Sequence, residues 1–491
     1  MPFWSRFERK EQTPWQSERI YKRNERARLR RTSFGGAAFL PELAATVELD
    51  EEAFALLCWL ALPMTARKLR EHFIKRFDRN ATLAEVDRFI NELKALGFVS
   101  TVQSEVVHLQ FTHLSGEDQE RAGTSNTKNF KDCIYKHETI QIAASSFLNY
   151  NSSLSSTYLE PEAVPAVPES VHLQLNNVCN LRCPSCYNTL QKRDDGSLPL
   201  ERWMTLVDEL ADMGIFQLAL GGGEPLMSQH FVPIVQHSRQ RELLPNVTTN
   251  GQLLTERLVT QISGFVGEVH LSFNDGFAVN RRLLTENATL LKAWDIRFGY
   301  NVIVTHRNLM HLEKILRELI ALRPNSITLI RPKPAKQNKR WYTANALSAQ
   351  DSMLLSKQLY RMKPLFADTL LTVDCAFSYL FYNLPDTELT WRGVEGCAPA
   401  KRFIIVAWNG DVYPCSHLHG KQFKMGNVME QGFRDIWEKI PAVRHAHTKL
   451  HRVEGHCRRC IKRRFCGGCR AIMWHTTSNL EATDAGCPFR A

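Results

Sequence analysis

Apolar positions recur in two different rhythms along the chain, and the change of rhythm divides it. Between about Ala38 and Gln110 the spacing is helical. Val47–Phe54 leads into an apolar run from Ala53 to Met64, and Thr65–Phe77 and Leu83–Leu96 repeat apolar residues three and four apart. In the last of these, Val86, Phe89, Ile90, Leu93 and Leu96 mark one face. Gly97 then ends the helix, and Phe98–Val102 with Val106–Phe111 reads as a small β-hairpin. Helices closed by a hairpin predict a winged helix, which serves either as a DNA reader or as a structural cap. The next stretch is polar, rich in Ser and Asn, and finishes in a run from Pro161 to Pro168, the composition of a stiff, extended linker.

Beyond the linker, short β-rich segments take over at Val171–Leu175, Phe216–Leu220, Asn246–Thr249, Glu268–Phe273, Gly299–Val304 and Ser326–Ile330. Helical patterns lie between them at Leu200–Met213, Phe231–Arg241, Thr255–Gly264, Asn280–Trp294 and Leu309–Leu322, and Ser348–Phe366 follows the last strand. Strands alternating with helices imply parallel βαβ units, hence an α/β domain. The sheet is either an open doubly wound one or a partial (β/α)6 barrel. In both, function gathers where the strands end.

Composition bounds this picture without redrawing it. The 491 residues suggest about three domains, and 44% hydrophobic with 23% charged residues is ordinary for a globular chain. The apolar run from Ala53 to Met64 is 12 residues, too short to cross a bilayer. The charged N-terminus has no signal-peptide core, so a cytoplasmic location without membrane partners is expected. The net charge of +11 is concentrated at the start, where residues 1–31 hold ten Arg or Lys against four Glu. Residues 1–37 therefore read as a flexible basic arm. Such arms are usually just solvated, and nucleic acid is not the expected partner.

Cysteine changes the picture most. There are 13, an odd number, in a chain without a secretion signal, so thiolates holding metal are favoured over disulfides. Cys179, Cys183 and Cys186 fall directly after the first strand of the α/β domain, where catalytic loops belong. Three thiolates at this spacing can hold three irons of a cubane cluster and leave the fourth iron open. A structural zinc with a fourth ligand elsewhere is the alternative.

The stretch from Asn177 to Tyr187 resembles the signature of the radical S-adenosylmethionine (SAM) enzymes. In that family the unique iron chelates the amino and carboxylate groups of SAM, and reductive cleavage yields a 5′-deoxyadenosyl radical. The second strand end supports the resemblance. Gly221, Gly222, Gly223 and Glu224 stand where the family binds the methionine amino group, and glycines permit close approach to the backbone. Asn250 and Ser272 occupy later strand ends, with Ser272 expected near the ribose. One departure is Ser185, where the family usually carries an aromatic or bulky residue, so adenine stacking is expected from Tyr187 instead.

Eight further cysteines follow the barrel, at 375, 397, 415, 457, 460, 466, 469 and 487. Their number satisfies two four-coordinate sites, iron–sulfur or zinc-ribbon. Their order resembles the SPASM extension of radical SAM enzymes, which binds two auxiliary 4Fe–4S clusters, although the Cys466–Cys469 interval is shorter by one than usual. The resemblance implies that Cys457, Cys460, Cys466 and Cys487 hold one cluster. It assigns Cys397, Cys415 and Cys469 to the other, with Cys375 the candidate fourth ligand. Cys58 and Cys133 fall outside both sets and read as structural thiols.

The early helical segment, from Val47 through Val99, is similar to PqqD-like domains, which bind leaders of ribosomally made precursor peptides as an added strand. The combined reading is a basic arm (1–37), a PqqD-like winged helix (38–111), a linker (112–169), a radical SAM partial (β/α)6 barrel (170–366) and a SPASM domain (367–491). This combination implies a peptide maturase that takes a hydrogen from a precursor-peptide side chain and installs a carbon–carbon or thioether cross-link. Its partners would be the precursor, through its leader, and an electron donor such as flavodoxin or ferredoxin. Two alternatives stand beside it. One is sulfatase-maturase-like oxidation of a protein Ser or Cys, against which Ser416 argues, because those maturases carry Asp after the equivalent of Cys415. The other is a DNA-binding iron–sulfur or zinc regulator, which leaves the glycine triplet and the βα units unexplained. No spacing singles out a catalytic base, His417 and His419 included.

Overall fold

The computed structural model describes residues 20–102 and 167–489, except 25–26, 33–34, 41–44, 62–63, 78–81, 96, 194–195, 274–280, 367–368, 387–388, 390–395, 398–399, 401, 440–452 and 464. The chain forms two compact units.

The first unit contains three helices, α1(Glu51–Trp59), α2(Ala66–Phe77) and α3(Leu83–Ala95). The expected face of α3 is the one that folds inward: Val86, Phe89, Ile90 and Leu93 are buried, against Leu57, Leu69 and Phe73. Its start is fixed by a reciprocal cap, with Thr82 N–H on the Glu85 carboxylate (2.7 Å) and Glu85 N–H on Thr82 Oγ1 (3.3 Å). Its end is Gly97, whose φ of +78° lets Phe98 N–H close back on Leu93 O at 2.9 Å.

Two small sheets accompany these helices. Strands β1(Ile20–Arg23), β5(Met64–Thr65) and β6(Val99–Val102) form one antiparallel sheet in the order β5-β1-β6. Strands β2(Arg28–Thr32), β3(Gly35–Leu40) and β4(Ala45–Asp50) form the other. Two expectations change here. Residues 20–37, counted with the basic arm, contribute strands, because alternation within a charged segment buries Tyr21 and leaves Lys22 more exposed. The observed partner of Val99–Val102 is Ile20–Arg23, and the expected hairpin arm Val106–Phe111 lies outside the described residues. Cys133 does too, while Cys58 is half-buried on α1.

The second unit is built on one ten-stranded sheet. Its parallel strands are β7(Ser170–Gln174), β8(Gln217–Gly221), β9(Leu244–Thr249), β10(Glu268–Phe273), β11(Arg297–Ile303), β12(Ser326–Ile330), β13(Leu370–Val373) and β14(Phe403–Val406). Helices α4(Leu200–Asp212), α5(Phe231–Gln240), α6(Glu256–Ile262), α7(Arg281–Ala293) and α8(Leu312–Ala321) connect β7 to β12 in turn, and α9(Lys339–Asn345) and α10(Ala349–Met362) lead to β13. The spatial order is β13-β12-β11-β10-β9-β8-β7-β14, extended by antiparallel β15(Asp411–Tyr413) and β16(Gly426–Asn427). A linear order leaves an edge at β13 and another at β16, so the sheet does not close on itself.

Six strands were expected, and they are there. The sheet gains β13 and β14 from beyond residue 366, so the expected boundary between barrel and cysteine-rich domain is no break in the hydrogen-bonded sheet. Strands of four residues offer too few alternations to stand out in the sequence.

The two faces of this sheet differ in chemistry. Val171, Leu173, Leu218, Leu220, Val247, Val269, Leu271, Val302 and Leu329 are buried in one core with Trp203 and Leu206 of α4. Each such side chain contributes about 1.5–3 kcal/mol by leaving water. In-register pairing puts His172, Asn246, Thr248, His270, Ser272, Asn301, Thr328 and Thr372 together on the opposite face. That face is polar and lies open toward the strand ends. Among the described residues no helix is long and apolar enough to cross a membrane.

Candidate active site

The loop carrying Cys179, Cys183 and Cys186 leaves the C-terminal end of β7 and is tied down at both ends. Asn176 Nδ2 donates to Glu224 O at 2.8 Å, Asn177 Nδ2 donates to Thr189 O at 2.9 Å, and Gln191 N–H returns to Asn177 O at 2.8 Å. Within the loop, Cys186 N–H donates to Cys183 O (3.0 Å) and Leu181 N–H to the Cys179 sulfur (3.3 Å). Asn250 Nδ2, from the end of β9, reaches Cys179 Sγ at 3.9 Å and Asn180 Oδ1 at 2.8 Å. The three thiols are half-buried. Burial pushes the Cys179 and Cys186 thiols above their ordinary pKa, so their thiolates call for a cation beside them. All three stand on the loop that follows β7, at the mouth of the sheet.

The glycine triplet has a different immediate neighbour from the one expected. A Cβ at Gly223 would stand 1.9 Å from Val178 O, and one at Gly222, where φ is +132°, would stand 2.5 Å from Asn176 O. What these glycines admit to their backbone is the cysteine loop itself. The loops are then stitched together, with Gly223 N–H on Asn176 O (3.0 Å) and Glu224 N–H on Val178 O (2.8 Å).

Glu224 also departs from expectation. Its buried carboxylate accepts from Thr249 Oγ1 (2.6 Å), Asn250 N–H (2.9 Å) and Leu226 N–H (3.2 Å), which clamps the ends of β8 and β9. Burial raises its pKa, and these hydrogen bonds oppose the rise. Ser272 sits on the polar face, paired in register with Asn301. Tyr187 packs its ring 4.2 Å from that of His417, and burial pushes its phenol up to about 12.

The eight later thiols fall into two groups. Cys375, Cys397, Cys415 and Cys469 lie close enough that a charge on one raises the pKa of another, on top of the larger effect of burial. Cys457, Cys460, Cys466 and Cys487 are linked in the same way and line a common cavity with Tyr379, Tyr382 and Phe465. The resemblance to the SPASM extension divides the eight thiols in the same way, with Cys375 as the candidate fourth member of the first group. Lys333, ion-paired with Asp374, brings positive charge to the first group. No three described His, Cys, Asp or Glu side chains gather tightly enough to chelate a single ion.

Sequence reasoning missed two features beside these thiols. His172, His417, His419 and His475 converge, with His172 Nδ1 3.0 Å from Ser416 Oγ and His475 Nε2 2.7 Å from His417 O. Burial lowers the pKa of His172 to about 4 and that of His417 well below the ordinary value, so these two imidazoles are neutral at pH 7. The His417–x–His419 spacing just after Cys415 was its only trace in the sequence. The second missed feature is a buried ion pair between Arg331 and Asp484, two residues whose separation along the chain gives no signal.

Comparison with known proteins agrees with this geometry. Residues 173–284 match the Radical SAM superfamily, and residues 397–461 match SPASM, an iron-sulfur cluster-binding domain. Among curated relatives, PqqA peptide cyclase of Granulibacter bethesdensis is 24% identical over 338 residues, covering 65% of this chain and 87% of the relative. AdoMet-dependent heme synthase of Methanosarcina barkeri is 26% identical over 357 residues, covering 67% and 98%. The crystal structure of Streptococcus suis SuiB bound to S-adenosylmethionine superposes with a TM-score of 0.61 at 16% identity, covering 95% of this chain and 99% of that one. The cofactors that go with these domains are S-adenosylmethionine, a 4Fe–4S cluster and auxiliary iron–sulfur clusters. The chain thus carries a radical SAM domain, built on the parallel sheet with its cysteine loop, followed by a SPASM iron–sulfur domain.

Proposed function

We propose that this protein is a radical SAM peptide maturase that removes a hydrogen from a precursor-peptide side chain and closes a carbon–carbon or thioether cross-link. One observation carries the reading: a radical SAM sheet with a polar face at its cysteine loop is joined to two thiol tetrads and preceded by a separate unit of helices and small antiparallel sheets. Among the relatives, one is a PqqA peptide cyclase, and the SuiB neighbour has also been crystallised bound to its precursor peptide SuiA. The heme synthase relative matches over nearly its whole length, so the radical domain alone does not choose a peptide. The N-terminal unit supplies that choice in this reading.

Cys179, Cys183 and Cys186 would hold the catalytic cluster, Cys375, Cys397, Cys415 and Cys469 the first auxiliary one, and Cys457, Cys460, Cys466 and Cys487 the second. Bound SAM and its cluster supply the radical that takes a hydrogen atom. The chain's own residues do the rest. Gly222 and Gly223 hold the cysteine loop against β8, Glu224 and Asn250 lock the next strand end to it, and Ser272 and Asn301 offer polar contacts on the open face. Closing the cross-link removes two hydrogens in all. One would leave as the abstracted atom and the other as a proton and an electron, for which a cluster held by one of the two thiol tetrads would serve as acceptor. The N-terminal unit, through an exposed sheet edge, would take the leader as an added strand.

The test is mass spectrometry of a precursor peptide encoded beside this gene, treated with reconstituted protein, SAM and reductant. The expected product has lost two hydrogens, and simultaneous replacement of Cys179, Cys183 and Cys186 by Ala abolishes both that loss and SAM cleavage. An unmodified peptide with SAM cleavage stimulated only by a non-peptide substrate would overturn the reading.

A further inference from the structure

Two cysteines of the second tetrad, Cys457 and Cys460, are separated by arginines in a stretch of chain that carries no acid. Between Glu454 and Glu481 there is no Asp or Glu, against six Arg or Lys. A short helix, Gly455–Arg459, leads into Cys460, and a turn then brings the chain to Cys466. This turn is pinned from beneath. Arg463 N–H donates to Cys460 O at 3.1 Å, Cys466 N–H donates to Lys462 O at 3.0 Å, and Phe465 is buried. Lys462 folds inward: its ammonium donates to Leu384 O at 2.7 Å and pairs with Asp386, and its side chain is only 12% exposed.

What is left outside is Arg458, Arg459, Ile461 and Arg463, all exposed, Ile461 by 75%. A lone apolar side chain on a surface is ordinary. This one directly follows Cys460, so their Cα atoms are about 3.8 Å apart, and arginines precede and follow the two. Lys462 and Arg463 also line the same cavity as Cys457, Cys460, Cys466 and Cys487. The basic surface and the tetrad thus share one wall. Folding gives no reason for the arrangement. Arg458, Arg459 and Arg463 make no ion pair among the described residues, and Arg463 Nη1 donates to Arg458 O at 3.3 Å, which draws like charges together.

We infer that Arg458, Arg459, Ile461 and Arg463 form a docking surface, beside the second tetrad, for an acidic one-electron carrier protein. Cations around an apolar centre steer an acidic partner quickly into a small contact, which suits transient electron exchange. The proposed cross-link leaves one proton and one electron beyond the abstracted hydrogen. The proton passes to water and the electron to the carrier, which is reduced by one as the chain is oxidised by one. A nucleic acid would meet the same charge, but it has no use for a thiol tetrad behind it. The inference rests on the reading of these four thiols as the ligands of an electron-carrying centre.

The experiment is surface plasmon resonance of the reconstituted full chain with an oxidised 2Fe–2S ferredoxin of net negative charge, with iron counted in every sample. Association is expected to slow at least about tenfold as salt rises from about 50 to about 300 mM. Joint replacement of Arg458, Arg459 and Arg463 by Glu is expected to weaken binding at least about tenfold and to remove most of the salt dependence. Ile461→Ser is expected to speed dissociation about threefold or more. Lys192→Glu with Arg193→Glu, exposed beyond the catalytic cysteine loop, should leave binding unchanged. Hydrogen exchange on the unsubstituted complex should show protection centred on residues 456–463, which reads the surface even where a variant folds poorly. Binding that ignores the triple replacement, binding lost instead with Lys192 and Arg193, or protection elsewhere overturns the inference. So does duplex DNA that displaces the ferredoxin at equal concentration, because the surface is then a nucleic-acid site. Intact ferredoxin binding without any peptide cross-linking overturns the proposed function alone. An iron count that Cys460→Ala leaves unchanged overturns instead the cluster reading beneath the inference.

Discussion

At the scale of single residues, the glycines of the 221–223 triplet show how one motif is read differently from sequence and from structure. In the sequence they signal space for a ligand. In the fold, Gly222 and Gly223 are occupied on the relevant side by Asn176 and Val178 of the cysteine loop, and Glu224 turns its carboxylate toward Thr249 and Asn250. On that side they set how closely the cysteine loop lies on the sheet. Gly223→Ala tests this directly. Its methyl would stand 1.9 Å from a carbonyl oxygen, a backbone atom with no rotamer to escape into. Overpacking of this kind costs about 1–3 kcal/mol. The loop must shift to relieve it, so SAM cleavage is expected to fall by about five- to 140-fold, since each 1.4 kcal/mol is a factor of ten. The auxiliary clusters, held by residues far along the chain, should keep their iron. Full SAM cleavage by Gly223→Ala would show that the contact does not govern the site.

At the scale of elements, the second difference between sequence and structure concerns the end of the barrel. Strands with five or more alternating positions and helices with a continuous apolar face were legible: Glu268–Phe273 and Ser326–Ile330 match their expected bounds, and the helix expected over Leu200–Met213 ends one residue earlier. Strands β13 and β14 were not, because four residues carry little periodicity and their pairing partners lie far away in sequence. That omission hid why Cys375 belongs with the cysteines that follow it. It lies just after β13, and the sheet brings that strand end beside Lys333 at the end of β12, near Cys397 and Cys469. The tetrad assignment gives a count. Reconstituted protein is expected to hold about twelve irons, and Cys375→Ala about eight if its cluster is lost whole. Cys58→Ala, in the other unit, should leave the count unchanged. Iron analysis that finds Cys375→Ala indistinguishable from the unsubstituted chain would return this cysteine to a structural role.

At the scale of the whole molecule, the proposed function divides recognition from chemistry between the two compact units. One has small sheets with strand edges, and the other carries the radical SAM and SPASM matches. If the first unit captures a leader, the core peptide attached to that leader reaches the radical site as an intramolecular partner. Its effective concentration is then set by the connecting peptide and lies in the millimolar range for a short flexible one. Chemistry at the site needs no contact with the leader, so capture should govern affinity and leave turnover largely alone. A core peptide supplied without its leader is therefore expected to show an apparent KM raised by about 10²-fold or more, the low end of what linked binding gives, with kcat within a few-fold of that for the full precursor. Kinetics with both peptides on the same preparation decide it. Equal KM and equal kcat would mean that the N-terminal unit does not act on the leader, whereas an equal KM with a collapsed kcat would mean that leader binding switches the radical domain on. Only the KM effect is the signature of tethering, and it follows from giving each unit one task.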